Sequence, residues 1–169
     1  MENNYIVPAK TSIGHVHLKV ADLKRSLDFY NGLLGFEITQ LYGDSAAFLS
    51  AGGYHHHIGL NTWQSKNALP AQGHHTGLYH LAILYPTQKD LAIIYTRLSH
   101  AKYPLDGASD HGVSEALYLS DPDKNGVELY WDRPRENWPL NTRGNIDMFT
   151  MPLDLNNLLA SIDKNKEQD

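Results

Sequence analysis

Ile13-Gly14-His15-Val16-His17-Leu18-Lys19-Val20 and Leu78-Tyr79-His80-Leu81-Ala82-Ile83-Leu84 are two versions of one pattern. Successive side chains of a strand point to opposite sides. In the first stretch Gly14, Val16, Leu18 and Val20 therefore share one face, and His15, His17 and Lys19 share the other. In the second, Tyr79, Leu81 and Ile83 take the apolar role while His80 and Ala82 face away. Each apolar face is suited to cover by a helix, and a helical pattern follows each strand. Leu23, Leu27, Tyr30 and Leu34 keep helical spacing behind Asp22, a good N-cap, and Gly35 stops that helix. Leu91, Ile94, Tyr95 and Leu98 follow Thr87 and Asp90, which read as a capping box. The two copies keep one register, with His15 and His80 65 residues apart (80 − 15 = 65), as are Tyr30 and Tyr95 (95 − 30 = 65).

Three strands should complete each copy. Phe36 to Leu41, Ala46 to Ser50 and His55 to Trp63 are separated by turns at Gly43-Asp44 and Gly52-Gly53. In the second copy the candidates are Tyr103–Leu105, Glu115–Leu119 and Val127–Trp131. The last two flank Asp121-Pro122-Asp123-Lys124-Asn125-Gly126, where proline fixes φ and Asn-Gly accepts a positive φ. The expected order is β-α-β-β-β, twice, an α+β fold. Residues 1–10 form a lead-in, 11–63 and 77–132 the two modules, 64–76 a connector, and 133–169 a tail. The tail holds Trp138, a short helix over Leu155–Ile162 and a frayed polar end, Lys164–Asp169.

Composition narrows the function classes. At 169 residues the chain can bury an ample core. Without cysteine it has no disulfide framework, thiolate metal site or thiol nucleophile. A net charge of −5 argues against binding a phosphate backbone, which needs a concentrated basic face. No apolar run reaches membrane-spanning length and no signal pattern opens the chain, so a cytoplasmic location is expected. The outlier is histidine: there are ten, and they turn attention to metal ligation and proton transfer. Two strand histidines from twin units, with the carboxylate of Glu128, would form a three-sided site with open positions, the arrangement typical of non-haem Fe(II) oxygenases.

These residues resemble the vicinal-oxygen-chelate superfamily, and within it the extradiol (catechol 2,3-) dioxygenase branch. The resemblance spans about residues 11–132 and rests on the two histidine strands, Phe29-Tyr30, Leu34-Gly35-Phe36, Gly53 to Leu60, and Asp121 to Leu129. It implies two βαβββ modules paired into a half-open barrel around a metal held by His15, His80 and Glu128. The implied ion is Fe(II), with Mn(II), Zn(II) or Ni(II) as alternatives. The implied substrates are a catechol-like aromatic diol and O2. By the same resemblance His56 is a histidine that exchanges a proton with substrate, Tyr118 a proton donor, and His111 a further catalytic residue. A symmetric homodimer is the expected assembly.

Other readings stand beside these. The similar glyoxalase I-type lyases carry a fourth ligand, a carboxylate, where this chain has Gly59, which favours the dioxygenase over a metal-dependent lyase or isomerase. A non-enzymatic small-molecule-binding resistance protein of the same fold would not need all three ligands. His17, whose counterpart is Ala82, reads as cavity lining or as a contact to a ligand. The His55-His56-His57 run also fits an exposed strand end that takes up Zn(II) or Ni(II). His74 and His75 read as solvated loop residues, and Tyr118 also fits a plain sheet aromatic. Trp131 and Trp138 read as closing the core or an interface.

Overall fold

Alternating burial confirms two strands where the sequence places them, but each begins one residue after its histidine, His15 or His80. The computed structural model describes residues 4–71 and 76–163, so His74, His75 and the Lys164–Asp169 end lie outside the described residues. In β1 (Val16–Lys19) Leu18 is buried while His17 and Lys19 are exposed. In β5 (Leu81–Leu84) Leu81 is buried and Ala82 and Leu84 are exposed. The first sheet adds β2 (Glu37–Tyr42), β3 (Ala46–Ser50) and β4 (Ile58–Asn61) in the order β1-β4-β3-β2. The second adds β6 (Gly107–Asp110), β7 (Ser114–Ser120), β8 (Gly126–Asp132) and β9 (Met151–Pro152) in the order β5-β8-β7-β6-β9. In each, the first strand runs parallel to the last strand of its repeat, β1 to β4 and β5 to β8, and the remaining pairs are antiparallel. The fold is thus α+β with two open sheets, and no closed barrel forms.

The helices cover the apolar faces. Asp22 caps α1 (Leu23–Leu27) by accepting from the Arg25 amide, and Thr87 caps α2 (Gln88–His100) by accepting from the Asp90 amide. Where spacing predicts one α-helix from Leu23 to Leu34, the chain instead widens into a π-helix over Asp28–Leu33. There the Leu34 amide donates to the Phe29 carbonyl at 2.9 Å. The wider turn buries two adjacent rings, Phe29 and Tyr30, which meet edge to face at 4.8 Å between centroids.

Two strand boundaries also move. Tyr103–Leu105 is not a strand: Pro104 has no N–H for a ladder, the Tyr103 hydroxyl donates to the Ser120 carbonyl at 2.7 Å, and β6 begins only at Gly107. The strand expected over His55–Trp63 is limited to Ile58–Asn61, leaving His55, His56 and His57 in the bend before it.

One apolar core joins both repeats, with Val20, Leu49 and Leu60 from the first and Leu91, Leu117 and Leu129 from the second. Polar ties cross the same boundary. The Tyr30 hydroxyl, fully buried, donates to Asp121 Oδ2 at 3.0 Å, and Arg25 Nη2 meets Asp123 Oδ1 at 2.6 Å. Arg97 donates to the carbonyls of Leu33 and Gly32, each at 2.6 Å. The Asp-Pro-Asp turn therefore docks the second sheet onto the first helix, beyond reversing the chain. In the tail, β9 pairs with β6 and covers that sheet edge, while α3 (Leu155–Ala160) lies against α2 with Leu158 buried in the core. Trp131 packs against the core, and the Trp138 indole donates to the Arg133 carbonyl at 2.7 Å. Among the described residues no helix is long and apolar enough to cross a membrane.

Candidate functional site

Antiparallel register sets Tyr118 of β7 directly opposite Glu128 of β8. Both belong to the alternation that leaves Leu117, Leu119, Val127 and Leu129 in the core, so both rise from the opposite face. The Tyr118 hydroxyl donates to Glu128 Oε1 at 2.9 Å. The other carboxylate oxygen lies 3.0 Å from His80 Nε2, and His111 Nε2 lies 2.7 Å from the Tyr118 hydroxyl. Four of the six residues singled out from sequence thus form one continuous polar line, His80–Glu128–Tyr118–His111. Burial, followed by the hydrogen bond to Glu128, pushes the Tyr118 phenol above its ordinary value, so it stays protonated through the physiological range. His80, Tyr118 and His111 line a cavity of about 560 Å³ together with Ser109 and Thr150.

The other two residues sit on the first sheet. The His15 and His56 rings meet at a tilt of 49° with centroids 4.4 Å apart, and His56 meets Phe48 of β3 edge-on at 5.0 Å. Burial and the neighbouring histidines, His15 first among them, lower the His56 pKa and favour its neutral ring. His55 Nδ1 lies 2.7 Å from His56 Nδ1, whereas His57 turns to the Ser50 hydroxyl at 3.1 Å. His17 pairs with Gly59 across β1 and β4 and lays its ring over that glycine. A Cβ on residue 59 would stand 2.9 Å from His17 Cγ. In the second sheet the corresponding pair is Ala82 with Glu128. Large and small residues have exchanged places between the repeats, and the imidazole of His17 fills the space that a side chain at 59 would need.

A divalent cation can be tested against this arrangement. Two donors bound side by side at about 2.1 Å from an octahedral ion lie about 3.0 Å apart. The His80–Glu128 separation of 3.0 Å meets that requirement. His80 Nδ1 is buried and has no hydrogen-bond partner among the described residues, so the polar contact of the ring is made through Nε2. His15 and His80 both line a second cavity of about 770 Å³ between β1 and β5. His80 and Glu128 therefore fit as two neighbouring ligands of a divalent cation. The gathering of the donor set is incomplete: among the described residues no three histidine or acidic side chains stand close enough to hold one ion, and His15 rests against His56.

The structure adds residues that the sequence reading passed over. Arg133 reaches Asp110 through two bonds of 2.6 and 2.9 Å and Glu115 at 2.8 Å, with Gln88 donating to the other Glu115 oxygen at 2.8 Å. The guanidinium holds the Asp110 carboxyl below the usual carboxylate range. Thr150 approaches His111 Nδ1 at 3.2 Å from the tail. Neither Arg133 nor Thr150 lies in a repeated or periodic stretch, so no local signal marks them.

Paired βαβββ units, each with its first strand parallel to its last, define the fold class of this chain. The chain belongs to the Glyoxalase/Bleomycin resistance protein/Dioxygenase superfamily, whose sequence model matches residues 12–129. It is 44% identical over 149 residues to Catechol-2,3-dioxygenase of Bacillus subtilis (strain 168), covering 88% of this chain and 51% of that protein. To Biphenyl-2,3-diol 1,2-dioxygenase 3 of Rhodococcus globerulus it is 32% identical over 122 residues, covering 71% of this chain and 63% of the relative. The chain thus spans about half to under two thirds of these curated relatives. In fold it is similar to a glyoxalase/dioxygenase from Nostoc punctiforme, with a TM-score of 0.61, 18% identity, and 78% and 99% of the two chains covered. It is also similar to lactoylglutathione lyase from Agrobacterium tumefaciens, with a TM-score of 0.57, 19% identity, and 73% and 96% covered. At these identities the structural likeness speaks for the fold alone.

Proposed function

We propose that this chain is an extradiol ring-cleaving dioxygenase that opens a catechol-like diol with O2, using Fe(II) held by His15, His80 and Glu128. The observation that carries the reading is the polar line His80–Glu128–Tyr118–His111, in which His80, Tyr118 and His111 line one cavity. The 44% identity to a protein named Catechol-2,3-dioxygenase supports the same reaction class. His15, which lines a cavity with His80, would complete the ligand set on giving up its ring contact with His56. The cation would supply Lewis acidity and redox chemistry toward the diol and dioxygen. Mn(II), Zn(II) and Ni(II) are alternatives with the same donors.

The protein's own groups divide the proton work. His56, kept neutral beside His15, accepts the proton of a diol hydroxyl. Tyr118 keeps its phenolic proton and offers it to oxygen as the ring opens, with His111 Nε2 behind it at 2.7 Å. Glu128 is oriented by Tyr118 through one oxygen, leaving the other beside His80. A lyase of the glyoxalase type would need a carboxylate at position 59, where the His17 ring lies over a glycine. We also propose a homodimer, in which a second copy covers β2, whose six residues are all exposed.

The test is oxygen uptake by the Fe(II)-reconstituted protein with catechol, alkylcatechols and bicyclic diols, followed by absorbance of the yellow ring-fission product. Uptake that is lost in His80→Ala is the expected result. If none of these diols consumes oxygen, while methylglyoxal with glutathione and Ni(II) gives thioester, the lyase reading replaces this one.

A further inference from the structure

The C-terminal tail, which no strand or ligand motif marks, reaches back to one side chain of the polar line. His111 stands in the turn between β6 and β7, and the tail grips that turn from two sides. On one side Arg133, just past β8, holds the neighbouring Asp110 through two hydrogen bonds. On the other, β9 adds to β6 with Asp110 opposite Met151, and the Phe149 amide donates to the His111 carbonyl at 3.3 Å. Between them lies Gly112, with φ of +75°. A Cβ there would come within 2.6 Å of Phe149 Cε1 and 2.8 Å of Pro139 Cγ. The glycine is what allows the tail to seat this closely.

The seated tail presents two oxygens to the imidazole. His111 Nδ1 lies 3.0 Å from the Phe149 carbonyl oxygen and 3.2 Å from the Thr150 hydroxyl. A carbonyl oxygen can only accept, so the 3.0 Å contact is a hydrogen bond only when Nδ1 carries the proton. In the neutral ring that leaves Nε2 as a lone pair, 2.7 Å from the Tyr118 hydroxyl. Tyr118 has a single proton and then faces two acceptors, Glu128 Oε1 and His111 Nε2.

We propose that the tail is a positioning element of the site: the Phe149 carbonyl and the Thr150 hydroxyl hold His111 as its Nδ1–H tautomer, so that Nε2 faces Tyr118 as a proton acceptor. Thr150 and Gly112 are positioning residues, acting through His111. The consequence for turnover rests on the dioxygenase reading above, but the tautomer does not.

Long-range ¹H–¹⁵N correlation of the imidazole nitrogens in the full chain reads the tautomer directly, with Zn(II) present as a diamagnetic ion and His111→Gln to assign the signals. The expected spectrum places the proton of neutral His111 on Nδ1. Gly112→Ala, which drives a methyl group into the tail, should shift the ring toward a mixture of tautomers. Thr150→Val should shift it in the same direction and Thr150→Ser should restore the wild-type pattern. Thermal melts of each variant separate unfolding from a local change. In the Fe(II) enzyme, Gly112→Ala should lower kcat by about 10- to 100-fold with KM changed far less. An Nε2–H tautomer in the folded wild-type chain overturns the proposal, as does a folded Gly112→Ala and Thr150→Val pair that leaves the tautomer unmoved. If the Nδ1–H tautomer is present and no diol is cleaved, the dioxygenase reading fails and the positioning role stands.

Discussion

Replacing Tyr30 by phenylalanine removes one oxygen atom and tests how the two repeats are joined. The ring is fully buried, and its hydroxyl donates to Asp121 Oδ2 at 3.0 Å across the boundary between the repeats. Asp121 is itself 1% exposed and accepts from the amides of Asp123 and Asn125 and from the Asn125 side chain. Burial, then the Asp121 charge and hydrogen bond, push the Tyr30 phenol far up, so it remains a donor at every working pH. A buried hydrogen bond to a charged acceptor contributes about 1.5–3 kcal/mol, and the carboxylate oxygen left behind keeps only its Asn125 partner. We expect Tyr30→Phe to lose about 2 kcal/mol, which in a chain of this size lowers Tm by about 4–8 °C. The internal control is Tyr95, the same position in the second repeat, whose hydroxyl makes no hydrogen bond to a described residue. Tyr95→Phe should change stability by less than about 0.5 kcal/mol. Urea unfolding of both variants, read by far-UV circular dichroism, gives the comparison. Equal losses in the two variants, or no loss in Tyr30→Phe, would refute the claim that the Asp-Pro-Asp turn is tied to the first helix through this bond.

Arg133→Ala leaves Glu115, which is 3% exposed, and Asp110 without their cation, and should cost about 3–5 kcal/mol in chemical denaturation. Because Arg133 depresses the folded pKa of Asp110, that carboxylate stabilises the fold fully above the ordinary carboxylate pKa and loses the contribution as pH falls through its lower folded value. The urea midpoint should therefore drop as pH is lowered below about 4, and more shallowly in Asp110→Asn. Gly59→Glu should destabilise the chain by about 1–3 kcal/mol through collision with the His17 ring, and His17→Ala in the same chain should recover part of that loss in a double-mutant cycle. Under the proposed dioxygenase function, Tyr118→Phe in the Fe(II)-reconstituted chain should lower kcat by about 10²- to 10⁴-fold, and chelation should abolish oxygen uptake until Fe(II) is returned; full activity in either case would remove Tyr118 or the cation from the mechanism.

The strand and helix types were legible because alternation and helical spacing act locally. Leu18 buried beside exposed His17, and Leu81 beside exposed Ala82, follow from the strand's period of two. Boundaries were less legible. The π-helix over Asp28–Leu33 forms where Phe29 and Tyr30 are both buried, and a register written for an α-helix does not reveal it. Of the candidate site, the Tyr118–Glu128 pair could be read from a ten-residue separation across one turn. His111 met Tyr118 from a position only seven residues before it, because the β6–β7 turn folds back and the tail fixes it there. His15 did not meet His80 and Glu128 directly, since it precedes β1 on the other sheet, where its ring lies against His56.

What the sequence determined alone was the repeat: which residues alternate, which cap a helix and which histidines sit at matching points. Those are decided by neighbours within a few bonds, and the chain carries them wherever it goes. Tertiary structure decided which of those side chains share an acceptor. Arg133 with Asp110, Thr150 with His111, and Tyr30 with Asp121 each join groups from distant parts of the chain. Their meeting depends on sheet register and on the tail returning to the β6 edge, and neither is encoded in any short stretch of residues.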